Sequence, residues 1–215
     1  MTGEHRIPVP ARTAEARLLV VVRAPSAEAY APVLDVLVEH GIRSIELTLT
    51  TPGTLEALPA LVERYEGVDV GVGTVLRPDA LRRAVDGGAA YLVTPVTDSG
   101  LVESAVASGT AIVPGGLTPT ELFASWSRGA AAVKVFPASQ VSPGYVKDLR
   151  GPFPGMQVVP SGGIDLDGAE AWLRAGAAAV SVGGPLLGDA FAGGDLGELG
   201  RRTRAFVERC DAVPR

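Results

Sequence analysis

Short apolar runs alternate along this chain with longer amphipathic segments. The runs at 18–23, 44–49, 68–73, 90–94, 110–114, 131–136, 157–161 and 179–183 are rich in Val, Ile, Leu and Ala. None shows the strict polar–apolar alternation of a half-exposed strand, so each predicts a strand covered on both faces. The intervening segments 26–40, 54–65, 78–86, 99–108 and 119–127 carry a helical spacing of apolar positions. Pro78 and Pro119 suit the first turn of a helix, where a missing N–H costs nothing. Gly41, Gly67, Gly87, Gly109, Gly129 and Gly176 stand where the helical patterns should stop. Eight strand–helix units in 215 residues predict a small, single-domain α/β protein, a (β/α)8 TIM barrel over residues 18–210. Residues 1–17 are polar and interrupted by proline, and read as an N-terminal arm or helix. A doubly wound sheet is the competing architecture. It usually has fewer strands and a Gly-rich first turn, and no G-x-G-x-x-G follows the first strand here.

Composition narrows the classes of function. Hydrophobic residues make up 47% of the chain and aromatics only 5%, so the core is built of Ala, Val and Leu. A net charge of −5 gives no support for partnership with nucleic acid or an anionic membrane. No segment reads as a transmembrane span or cleaved signal. The single cysteine, Cys210, allows no internal disulfide and fits a reducing, cytoplasmic compartment. The two histidines, His5 and His40, have no partners at metal-ligand spacing, so no metal site is expected.

Charge usage carries the strongest clue. The chain has seventeen arginines but only two lysines, and Lys134 lies in the apolar run Ala130-Ala131-Ala132-Val133-Lys134-Val135-Phe136-Pro137. Apolar surroundings disfavour an ammonium, and a lysine that is neutral part of the time is a nucleophile for carbonyls. Lys147, in a polar helix-like stretch, reads as an ordinary solvated lysine. A second charged residue inside an apolar strand is Glu46, in Ile45-Glu46-Leu47-Thr48-Leu49. The two admit a bland reading, a buried structural ion pair, and a catalytic one. In a barrel both stand near the face where strand ends gather, and a carboxylate suits the proton traffic that amine addition to a ketone requires.

Other strand ends offer further candidates. Arg23 is either a rim charge or a grip for an anion. Thr74, after Gly71-Val72-Gly73, either bonds a substrate or caps the next helix. Gly162-Gly163 and Gly183-Gly184 follow the seventh and eighth strands, the two loops that commonly bind phosphate in barrels, though turns also use paired glycines freely.

Taken together these stretches resemble the 2-keto-3-deoxy-6-phosphogluconate (KDPG) aldolase family, class I pyruvate-dependent aldolases on a small (β/α)8 barrel. The resemblance rests on Ile45-Glu46-Leu47-Thr48-Leu49, Gly71-Val72-Gly73-Thr74-Val75, Val93-Thr94-Pro95, Val113-Pro114-Gly115, Val133-Lys134-Val135-Phe136-Pro137-Ala138 and Ser161-Gly162-Gly163-Ile164, in family order between about residues 18 and 192. It implies that Lys134 forms the Schiff base, with no other cofactor, and that Glu46 is the general acid–base. It further implies that Thr74 binds the pyruvate carboxylate, that Arg23 holds an anionic end and that Pro95 and Phe136 wall the pocket. Gly162, Gly163, Gly183 and Gly184 would hold a phosphate through backbone amides. The small-molecule substrate would be a keto acid, and the assembly a homotrimer.

Two departures leave the substrate open. Thr50 stands where the gluconate-type enzymes usually carry arginine, and Pro185 where they often carry serine. The 2-keto-3-deoxy-6-phosphogalactonate branch also lacks that arginine. It resembles this chain at Val22-Arg23, Thr51-Pro52, Leu92-Val93-Thr94-Pro95, Lys134-Val135-Phe136-Pro137-Ala138-Ser139 and Ser142-Pro143-Gly144-Tyr145-Val146-Lys147. A non-phosphorylated keto acid such as 4-hydroxy-2-oxoglutarate is a further alternative. Outside this class stand a non-catalytic phosphosugar-binding barrel, which has no use for a buried Lys134, and a phosphosugar epimerase or decarboxylase, whose Asp/Lys or metal clusters are not visible in the sequence.

Overall fold

A computed structural model of the chain describes residues 6–215. His5 and the first part of the expected arm lie outside the described residues. Every predicted strand appears within a residue or two of its expected place: β1 (Leu18–Val22), β2 (Ser44–Thr48), β3 (Asp69–Gly73), β4 (Tyr91–Val93), β5 (Ala111–Val113), β7 (Val133–Val135), β8 (Val158–Pro160) and β9 (Val180–Val182). A two-residue strand, β6 (Gly115–Gly116), is additional. The helices are α1 (Ala11–Ala16), α2 (Tyr30–Glu39), α3 (Thr54–Arg64), α4 (Pro78–Asp86), α5 (Ser99–Ala107), α6 (Pro119–Trp126), α7 (Tyr145–Arg150), α8 (Leu166–Arg174), α9 (Gly184–Leu187) and α10 (Leu196–Asp211).

Local chemistry accounts for the boundaries. Pro78 and Pro119 occupy the first turns of α4 and α6, and Thr118 with Glu121 forms a reciprocal capping box at the start of α6. Asp98, Asp165 and Asp195 cap α5, α8 and α10 through their side chains. α4 stops at Gly87, its C-cap, as expected, and the left-handed residue is the next one, Gly88.

All strand pairings are parallel. One curled sheet runs β5-β4-β3-β2-β1-β9 and a second runs β6-β7-β8. The expectation of a (β/α)8 barrel is therefore met only in part: the strands are parallel, curled and flanked by helices, but they form two sheets rather than one closed barrel. The division has a physical reason: β4, β5 and β7–β9 are three residues long, and Pro114 and Pro160 bring no N–H to the ladder at the seams. Isolated backbone contacts cross both seams. Ala131 N–H donates to Ile112 at 2.9 Å, and Ser161 bridges Ser181 in parallel.

Two apolar cores lie on the two faces of this curl. The larger joins Val20, Ile45, Val70, Leu92 and Ile112 to the helices around them. The smaller holds Leu19, Tyr91, Val93, Ala111, Val113, Ala131, Ala132, Val159 and Ala179; apart from Tyr91 and Leu19 these are Ala and Val, which suit a tightly curved inner face. Residues 11–16 of the expected arm are helical and docked. Thr13 donates its N–H and its hydroxyl to Asp69 Oδ2 at 2.7 and 2.9 Å, and its hydroxyl also lies 2.8 Å from Ser44 Oγ. Ser44 in turn meets the Tyr91 hydroxyl at 3.0 Å.

Candidate active site

The inner positions of β2 are Ser44, Glu46 and Thr48, all buried. The parallel register sets Glu46 opposite Gly71 and Thr48 opposite Gly73. The Glu46 side chain climbs towards the C-terminal ends of the strands and lies across Gly73. A Cβ there would sit 1.8 Å from its Oε1, so only glycine leaves room for the carboxyl.

Lys134, on β7, is 7% exposed and Glu46 is 1% exposed. Lys134 Nζ lies 3.9 Å from Glu46 Oε1, close enough for an ion pair and too far for a hydrogen bond. Glu46 Oε2 is buried without a hydrogen-bond partner. Burial pushes the Glu46 carboxyl above its ordinary range, offset in part by the charge of Lys134 and then that of Arg23. A buried pair with an empty acceptor is a poor stabilising device, since desolvation rivals the Coulombic gain. The same arrangement suits a proton carrier beside an amine.

Phe136 immediately follows β7, and its ring centroid lies 5.3 Å from Lys134 Nζ. The ring packs against Gly162, whose φ of +98° favours glycine and where a Cβ would lie 3.3 Å from the ring edge. The carbonyl of Pro95 is pressed against Gly115, the residue opposite Lys134 in the ladder; a Cβ at Gly115 would approach it to 2.6 Å. Lys134, Glu46, Phe136, Pro95 and Gly162 thus share one end of the curl.

The remaining sequence-predicted residues fall nearby in separate clefts. Arg23 is exposed and lines a cleft of about 540 Å³ together with Gly183, Gly184, Leu187 and Phe191. Gly162 and Gly163 are not part of that lining; Gly163 faces Ser139. Pro185 is exposed in the first turn of α9. Thr74 lines a different cleft of about 320 Å³ with Thr51, Pro52 and Arg77. It is not a helix cap, because the N-cap of α4 is Arg77. Its φ of +60° is unusual for a β-branched residue, and such strain gathers at functional sites. Lys147 is exposed on α7, as its sequence context predicts.

Sequence reasoning passed over Tyr91, Ser44 and Asp69. Burial pushes the Tyr91 phenol well above its ordinary value; the Ser44 hydrogen bond opposes this, while the charges of Glu46 and Asp69 add to it. The available signal was Gly71 and Gly73 alternating within one strand, a mark of close approach from neighbouring side chains. Among the described residues no group of three or more His, Cys, Asp or Glu is arranged to hold a metal. No helix among them is long and apolar enough to cross a membrane.

Known proteins resemble this chain along most of its length. A family profile described as KDPG and KHG aldolase matches residues 9–201. The chain is 33% identical over 199 residues to the 2-dehydro-3-deoxy-phosphogluconate aldolase of Pseudomonas aeruginosa, covering 91% of this chain and 90% of that one. It is 29% identical over 193 residues to the 2-dehydro-3-deoxy-6-phosphogalactonate aldolase of Escherichia coli, covering 89% and 93%. Among solved structures it matches the KDPG aldolase of Legionella pneumophila with a TM-score of 0.75, at 25% identity, over 95% of this chain and 99% of that one. That structure holds pyruvate captured at low pH as a covalent carbinolamine intermediate. The chain belongs to the KDPG and KHG aldolase family. It is a carbon–carbon lyase of the class I, Schiff-base kind.

Proposed function

We propose that the protein cleaves a 2-keto-3-deoxy sugar acid, 6-phosphorylated and of the gluconate or galactonate type, to pyruvate and an aldehyde such as glyceraldehyde 3-phosphate. The observation that carries this reading is the buried Lys134–Glu46 pair with an open acceptor on the glutamate. Neutral Lys134 attacks the C2 carbonyl carbon, and the carbonyl oxygen takes up a proton to give a carbinolamine. Protonated Glu46 gives its proton to the departing hydroxyl, which leaves as water, and an iminium forms. The C4 hydroxyl then loses its proton to a base, the C3–C4 bond breaks and its electron pair enters the iminium, leaving an enamine and a free aldehyde. Protonation of the enamine at C3 and addition of water at C2 release pyruvate and regenerate the amine.

In this reading Thr74 binds the pyruvate carboxylate, and Pro95 and Phe136 confine the keto acid. Arg23 with Gly162, Gly163, Gly183 and Gly184 accommodates the distal anion. The two sheets act as one (β/α)8 barrel over residues 18–210, a reading supported by the Ala131–Ile112 and Ser161–Ser181 contacts across the seams. A homotrimer working in the cytoplasm belongs to the same reading, and light scattering of the purified protein tests the assembly. A non-phosphorylated substrate such as 4-hydroxy-2-oxoglutarate is favoured by one feature: the cleft beside Arg23 is mostly apolar, and Pro185 offers it no N–H.

Borohydride reduction in the presence of pyruvate, followed by peptide mapping, tests the chemistry. The expected adduct is on Lys134 alone; an adduct on Lys147, or none, overturns the assignment. Comparing kcat/KM across the gluconate, galactonate and non-phosphorylated keto acids tests the substrate. Equal values with and without phosphate would remove the phosphate from the proposal.

A further inference from the structure

Below the reacting pair the inner face holds one large side chain, Tyr91, and its placement against Glu46 is specific. The Tyr91 ring lies across Gly71, where a Cβ would meet ring carbons at 2.4 Å. Gly71 is the direct ladder partner of Glu46. The ring therefore fills the inner-face space level with the Glu46 backbone, while the Glu46 carboxyl occupies the next inner site above, over Gly73. Successive inner sites on a strand stand about 7 Å apart, so these two side chains are stacked along the strand direction. With the lower site filled, the Glu46 side chain cannot fold down across Gly71 and is left pointing towards Lys134.

The ring is itself held from beneath. Its hydroxyl meets Ser44 Oγ at 3.0 Å, Ser44 meets the Thr13 hydroxyl at 2.8 Å, and Thr13 donates twice to buried Asp69. Arg12 on the same helix lies 3.6 Å from the other oxygen of Asp69. The chain of contacts begins on α1 and ends one inner site below the Glu46 carboxyl. Tyr91 is 1% exposed, so solvent does not hold it in place; packing and this hydrogen-bond chain do.

We propose that Tyr91 is a positioning residue: its ring, anchored through Ser44 to Thr13 and Asp69, forms the floor that keeps the Glu46 carboxyl directed at Lys134. This inference rests on the assignment of Glu46 as the acid–base. The helix α1 is accordingly a brace for the reaction centre.

The test compares Tyr91→Ala, Tyr91→Leu and Tyr91→Phe with the parent enzyme and with Glu46→Gln. Folding is checked by circular dichroism, and rates of imine formation are followed by borohydride trapping with pyruvate. Removing the ring in Tyr91→Ala should lower kcat by about 100-fold, the scale expected when a reacting group shifts by an ångström, and KM should change far less. Imine formation should slow in parallel. The limb of the pH–kcat profile that belongs to Glu46 should move down towards ordinary carboxylate values as burial is relieved, with Lys134 and Arg23 still in place around it. Tyr91→Phe keeps the ring and loses one hydrogen bond, so kcat should stay within roughly tenfold of the parent. Tyr91→Leu should fall between the two and serves if the alanine variant does not fold. A folded Tyr91→Ala or Tyr91→Leu with parental kcat, trapping rate and pH limb overturns the proposal, as does a Tyr91→Phe as impaired as Tyr91→Ala or, if that variant does not fold, as Tyr91→Leu. If Glu46→Gln itself keeps near-parental turnover, the acid–base assignment fails first, and the result is distinguishable from failure of the floor alone.

Discussion

Two buried carboxylates stand on neighbouring strands of the same sheet and have opposite surroundings. Asp69, at the N-terminal end of β3, receives an N–H and a hydroxyl from Thr13 and has Arg12 within 3.6 Å. Glu46, at the middle of β2, has one oxygen 3.9 Å from an ammonium and the other with no partner at all. A satisfied buried carboxylate contributes to the fold, because its removal strands the donors that face it. An unsatisfied one costs stability and persists where its proton is needed. The difference separates a structural end of the sheet from the end we propose to be reactive, and it does so by hydrogen bonds rather than by burial, which is nearly the same for both.

The sharpest break of this contrast is at the reactive end. Lys134→Met should abolish turnover and borohydride trapping while the fold, judged by circular dichroism, is retained. Glu46→Gln should follow, with kcat lowered by about 10²- to 10⁴-fold, the usual worth of a general acid–base, measured at saturating substrate. The same variant sharpens the comparison through stability. Burial raises the Glu46 pKa in the folded state, so the native protein binds that proton more tightly than the unfolded chain does. Stability from this group is full below the ordinary carboxylate range and is lost as pH rises through the raised pKa. The difference in Tm between Glu46→Gln and parent should therefore move in favour of the variant as pH rises above the ordinary carboxylate range.

At the structural end the effect should reverse in kind. Asp69→Ala leaves Thr13 without its acceptor and should cost about 1–3 kcal/mol in denaturant unfolding, with a far smaller change in kcat than Glu46→Gln gives. The smallest effect belongs to Lys147→Gln. This lysine is exposed on α7, and its replacement should alter stability by less than about 0.5 kcal/mol in the same unfolding assay.

Much of this was legible in the sequence, for identifiable reasons. Each strand is buried on both faces, so its apolar run is continuous and easily seen, and β1 to β5 and β7 to β9 fall where those runs predict. Lys134 and Glu46 were conspicuous because charge is costly inside such runs. The seams were not legible, because whether three-residue strands pair depends on where Pro114 and Pro160 place their missing donors. The docking of α1 was hidden as well: Thr13 is an ordinary polar residue until Asp69, far along the chain, is brought to it. Tyr91 looked like any aromatic in a strand. The role proposed for it depends on two glycines of the adjacent strand, and that register exists only in three dimensions.

The glycines of β3 have a consequence for how this sequence can vary. Val70 and Val72 face the outer core, where exchanges among Val, Ile and Leu can be absorbed by repacking. Positions 71 and 73 tolerate not even one added methyl group, because Tyr91 and Glu46 already occupy that volume. Along the four residues 70–73, freedom to drift should therefore alternate with a strict requirement for glycine. A library randomised over residues 70–73 and selected for turnover should return that period-two pattern, and the positions that prove immutable would be those with no side chain of their own.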